Sequence, residues 1–206
     1  MFRFFMFVTI LITTVFADPQ QERLHWLQDK NYINGIMYLN GVKGAEIIKK
    51  EITNCPYDKC KKLNMGKNGK GPVSILKVKK PNYKKALELL IKSSNSGNAF
   101  ASDKIVMFLS QRLPYKSKHQ MDYMLKQLKK DTGLSYDDYI YIFKQAAQHG
   151  YISEGCASSY FAGELLSHGY LNTKIDKNLA KKAYKRAYMS CPNNNMYKIL
   201  SKSKIR

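Results

Sequence analysis

The sequence predicts an all-α fold in which helix pairs stack as repeats, an α-solenoid, and three observations carry that prediction. The first is composition. The chain has 206 residues, 44% of them hydrophobic and 24% charged, with only 12 Gly and 6 Pro. That balance supports one ordinary folded domain and argues against disorder, collagen and a disulfide-dense miniprotein. The second is a spacing shared by three segments, Asn82 to Gly97, Ser135 to Gly150 and Asp176 to Cys191. Each begins with a polar residue able to cap a helix, continues with apolar residues at one-face helical offsets, and ends on a small or terminating residue. The third is that a second kind of helix follows each ending: Ala99 to Leu109, Glu154 to His168 and Asn195 to Ser203.

Taken in order, residues 1–17 read MFRFFMFVTILITTVFA: one cation at Arg3, an apolar run from Phe4, and small residues before Asp18. This is the pattern of a secretory signal peptide. The run is shorter than the ~20 apolar residues that span a bilayer, which argues against an anchor. Residues 18–54 are expected to form N-terminal helices, with Asn34-Gly35, Tyr38 and Gly41 repeating the small-residue spacing of Ala162-Gly163, Leu166 and Gly169. That spacing places small residues where another backbone approaches closely.

Residues 55–81 interrupt the helical pattern. Gly66, Gly69, Gly71 and Pro72 rule out a continuous helix, so a basic inserted loop is expected, with Val73 to Val78 as a short strand or extended arm. Residues 82–206 then carry the repeats. The interval from Gly97 to Gly150 is longer than that from Gly150 to Cys191, and the surplus, Lys118 to Lys130, reads as an extra helix after Pro114.

These residues resemble a known family. A small residue and Gly followed by Tyr or Leu and Gly, then Asp-x-x-x-Ala, then an Ala pair before Gly, is similar to the Sel-one-like repeat, a relative of the tetratricopeptide repeat. Ala162 through Asp176, Ala180, Tyr184 and Ala187 to Cys191 fits best. Ile142-Phe143 with Ala146-Ala147 and Gly150 gives a second copy, and Asn82 through Ala99 a third. Cys191 stands where the family has a terminal glycine, and Ser93-Ser94 where it has an alanine pair. The resemblance implies a right-handed α-solenoid, acting as a protein-binding scaffold whose concave face holds another protein. It also implies a periplasmic location and, in its sharpest form, an immunity protein that neutralises a type VI secretion effector.

Four cysteines in an exported chain suggest two disulfides, for which three pairings are open. An antiparallel helix pair about the Tyr170 to Asn172 turn returns Cys191 to the level of Cys156, which favours that bond and leaves Cys55 with Cys60. No thioredoxin-like Cys-x-x-Cys is present. His25, His119, His149 and His168 are scattered without metal-ligand spacing, so no metal or other cofactor is expected. The run Gly66 to Pro72 lacks the phosphate-loop pattern. No catalytic nucleophile and base stand in a recognisable context, so no enzyme is expected. Glu164 is expected to face solvent or a partner.

The charge and the aromatics point to binding. With 35 Lys+Arg against 15 Asp+Glu, the net charge is +20, a field that attracts acidic proteins and anionic surfaces. The cations are mostly Lys, which suits diffuse charge better than bidentate phosphate recognition, and no nucleic-acid motif appears. The expected partner is therefore another protein with an acidic surface. The alternative is an anionic envelope lipid or polymer docked on the basic loop. Tyr136, Tyr139 and Tyr141 crowd one and a half helical turns; those that escape the core are candidate anchors. The residues assigned to partner binding are Tyr136, Tyr139, Lys67, Lys70, Lys77 and Lys79.

Overall fold

The computed structural model describes residues 25–42, 46–52, 71–77, 80–113 and 122–205. The helices are α1 (Lys30–Leu39), α2 (Tyr83–Asn95), α3 (Ala99–Arg112), α4 (Asp122–Thr132), α5 (Tyr136–Ile152), α6 (Cys156–His168), α7 (Lys177–Ser190) and α8 (Met196–Ile205), with a 3-10 turn at Tyr170–Asn172. Two strands, β1 (Glu46–Ile52) and β2 (Gly71–Lys77), pair antiparallel, Glu46 opposite Lys77 and Ile52 opposite Gly71. The helical class therefore holds, with one correction: residues 46–52 are a strand rather than part of the expected N-terminal helices. Its partner, Gly71–Lys77, takes in most of the stretch expected as a short strand or extended arm.

The three expected caps all form. The Asn82 side chain accepts from the Lys85 amide at 3.0 Å, and that of Asp176 accepts from the Leu179 amide at 2.8 Å. Ser135 and Asp138 form a reciprocal capping box. Asn98, between α2 and α3, caps α3 by accepting from the amides of Phe100 and Ala101 at 3.0 and 3.3 Å. Each such cap satisfies amides that have no partner within the helix, worth about 1 kcal/mol. Helix α6 differs, because Gly155 at its N-cap offers no side chain.

Each helix of the pairs packs on the next in sequence: α1 on α2, α2 on α3, α3 on α5, α5 on α6, α6 on α7 and α7 on α8. Alternate helices also touch, α2 with α5 and α5 with α7 on one side, α3 with α6 and α6 with α8 on the other, while α4 rests on α2. Small residues permit these approaches. A Cβ on Gly35 would lie 2.8 Å from Leu90 Cγ of α2, and one on Gly163 would lie 2.7 Å from the Tyr184 ring of α7. The repeated glycine spacing thus marks two equivalent helix crossings, with a side chain rather than a backbone as the close neighbour.

The core is continuous from Leu87 and Leu90 through Ile105, Leu109 and Phe143 to Leu165 and Tyr184. Shortening Leu90, which is fully buried, to Ala costs about 2–5 kcal/mol. Aromatic contacts link α5 to α8: Tyr139 to Phe143 at 5.7 Å, Phe143 to Phe161 at 5.4 Å and Phe161 to Tyr197 at 5.6 Å between ring centroids. Cys156 and Cys191 are disulfide-bonded, as the hairpin geometry predicts, and tie the start of α6 to the end of α7.

Candidate functional site

A groove of about 640 Å³ runs across α1, α3, the turn between α5 and α6, and the start of α8. Four aromatic rings line it: Trp26, Tyr32, Phe100 and Tyr197. Asn98 ties down the Trp26 backbone by donating from its side-chain amide to the Trp26 carbonyl at 2.9 Å. Tyr32 and Phe100 stand 6.3 Å apart as a tilted pair, and Tyr197 is tied into the core beside Tyr160 at 5.3 Å. Tyr32, Phe100 and Tyr197 thus have ring neighbours before anything binds, which limits the ordering cost of association.

Asp103 builds the wall facing the disulfide. Its carboxylate accepts from the Cys156 amide at 2.9 Å, the Ser158 amide at 2.8 Å and the Ser158 hydroxyl at 2.6 Å. An aspartate of α3 therefore supplies the cap that Gly155 cannot. The preceding turn is bent to suit: Glu154 adopts a left-handed backbone, φ 62°, and the Gly155 amide donates to the Gly150 carbonyl at 2.6 Å. Burial raises the carboxyl pKa of Asp103 against the pull of its donors. Burial, and then the charge of Asp103, likewise raise the phenols of Tyr32 and Tyr197. Asp29, on the Trp26 side, behaves oppositely. Burial works against its ionisation, but the Ser93 hydroxyl and the Asn31 amide outweigh it and lower its pKa.

No family model, curated protein or solved structure matches the chain. What the site does must therefore be read from its own residues. Aromatic faces, with a carboxylate wall and Lys104 at the edge, suit the burial of an apolar anchor side chain from a partner.

The residues expected to bind a partner are not gathered there. Tyr139 is a correction: it is fully buried, and its hydroxyl donates to the Leu113 carbonyl at 2.8 Å, so it is core. Tyr136 is half-buried and stacks on Tyr139 at 6.0 Å. Lys67, Lys70 and Lys79 lie outside the described residues, as do Cys55 and Cys60, and Lys77 is the last residue of β2. Of the crowded tyrosines it is Tyr141 that reaches solvent, 66% exposed, between two hollows of about 150 and 440 Å³ on α5.

Glu164 is a second correction. It is 7% exposed; it accepts from the Tyr184 hydroxyl at 2.7 Å and pairs with Lys204 at 3.5 Å, tying α6 to α7 and α8. Burial and this carboxylate push Tyr160 up to about 12 and raise Tyr184 further. Sequence reasoning missed Asp103 and the four groove aromatics. A signal was present, since Asp103 is the one acid within Ala99 to Leu109, and an acid in an apolar helix needs buried donors. Among the described residues, no group of three His, Cys, Asp or Glu is placed to hold a metal, and no helix is long and apolar enough to cross a membrane.

Proposed function

We propose that this protein is an exported, periplasmic protein-interaction scaffold. The observation that carries the reading is the preformed groove lined by Trp26, Tyr32, Phe100 and Tyr197, into which a partner inserts an apolar or aromatic anchor. The contacts between alternate helices support reading the helix pairs as a right-handed α-solenoid of Sel-one-like type. The net charge of +20 supports an acidic partner, drawn in by long-range steering before the anchor seats. The disulfide accords with an oxidising compartment. In its sharpest form the partner is a secreted effector that this protein neutralises, a form supported by the family resemblance alone.

The test is affinity capture from envelope extract at low and at ~0.5 M salt, where surface charges are screened, with wild type and Phe100→Arg. A single protein retained by wild type at high salt and lost by Phe100→Arg supports the reading. Equal retention by both proteins, or material that is simply washed off by salt, overturns it. Trp26 is the chain's one tryptophan, so a purified partner seated in the groove must also shift its emission.

A further inference from the structure

The α7–α8 hairpin carries four exposed large apolar side chains. On α8, Met196, Ile199 and Leu200 follow one-face spacing and are 60%, 63% and 38% exposed, while Tyr197 and Ser201 point inward. On α7, Met189 is 71% exposed, and Lys182 and Lys185 precede it by two turns and one turn on the same face. Met189 and Met196 flank the turn that joins the helices.

The charge on this hairpin is uncompensated. Between Lys174 and Ile205 the one acid is Asp176, already engaged as the cap of α7. Arg186, Lys198 and Lys204 are occupied by the Tyr151 carbonyl, the Cys191 carbonyl and Glu164 respectively. Lys181, Lys182, Lys185 and Lys202 are exposed and make no ion pair within the described residues.

We infer that this face docks on an anionic lipid surface, with Met189, Met196, Ile199 and Leu200 entering the interface and the lysines meeting headgroup phosphates. A second copy of the chain is disfavoured, because pairing two such faces sets lysine against lysine. A soluble polyanion would satisfy the lysines but leave the four apolar side chains in water. An anionic bilayer surface answers both at once, by burial of apolar area and by electrostatic attraction. None of these apolar or lysine side chains lines the groove, which takes in Ser190, Pro192 and Asn195 of the same hairpin turn.

The experiment is co-sedimentation of the full chain with vesicles of phosphatidylcholine alone, or with phosphatidylglycerol as roughly one lipid in three. The quantity read is the difference between the two compositions, which cancels any uptake driven by the apolar residues 4–16. Each lysine near an anionic surface is worth about a fivefold gain in partitioning. Lys181→Gln, Lys182→Gln and Lys185→Gln together are therefore expected to lower anionic binding at least ~10-fold. Met196→Ser with Ile199→Ser and Leu200→Ser should also lower it, while leaving binding to soluble dextran sulfate unchanged. Circular dichroism checks that both variants fold. No preference for anionic vesicles overturns the inference, as does binding that either triple variant leaves intact. Phe100→Arg is expected to bind vesicles as wild type does, so failure here and failure of the scaffold reading are told apart.

Discussion

Asp103 caps a helix that begins 53 residues later, accepting from the backbone amide of Cys156. A local cap fixes one helix end; this one fixes the register of α6 against α3, and it does so at the groove wall. Asp103→Ala is expected to cost about 2 kcal/mol, and Asp103→Asn, which keeps an acceptor oxygen, less than half of that. Thermal melts of the two variants check the order.

The same residue predicts a pH dependence. Burial raises its pKa in the folded chain above the ordinary 3.8, so the folded state holds the proton more firmly than the unfolded state. Its contribution is then most favourable below the unfolded pKa and declines as pH rises through the folded value. Urea melts from about pH 4 to 7 should show this decline in wild type relative to Asp103→Asn. A constant difference between the two proteins counts against it.

Gly163→Ala places a methyl group 2.7 Å from the Tyr184 ring, and overpacking of this kind costs about 1–3 kcal/mol. Gly150→Ala is expected to cost more, since its Cβ would meet the Ser158 hydroxyl and Ser102 Cβ together. Differential scanning calorimetry ranks the pair.

Tyr139 and Tyr141 differ by two positions and should differ in kind. Tyr139→Phe removes the hydrogen bond to the Leu113 carbonyl within the core, at about 1–2 kcal/mol. Tyr141→Ala, on an exposed face, should stay within about 0.5 kcal/mol. Denaturant midpoints distinguish core from surface directly.

At the alkaline end, Tyr160 should ionise near pH 12, with Tyr184 later still. Folded phenols with raised pKa values contribute stability that is present below the unfolded value near pH 10 and lost as pH rises above it. Absorbance of tyrosinate followed alongside ellipticity should show these rings titrating with unfolding.

The helices from Tyr83 onward were legible because their signals are local. Asn82, Ser135 and Asp176 announce their helices, and the small residues Gly35 and Gly163 announce crossings. The Cys156–Cys191 bond was legible once the intervening turn was placed. The strand Glu46–Ile52 was not, since its stability lies in pairing with residues 71–77 rather than in its own pattern. Tyr139 was misjudged for a related reason: its partner, the Leu113 carbonyl, lies 26 residues away in sequence. The groove was illegible for the same cause, as its walls come from four separate stretches of chain, brought together by Asn98 and Asp103.

The Cys156–Cys191 bond also bears on how the molecule meets proteases. It spans the Tyr170–Asp176 connection, where Leu171 and Asn172 hold left-handed backbone conformations and Lys174 is exposed. A cut after Lys174 would leave two fragments still joined through sulfur, with α6 and α7 held face to face. Nicked molecules would run as one species until a reductant is added, and the wall of the groove would outlast the continuity of its backbone.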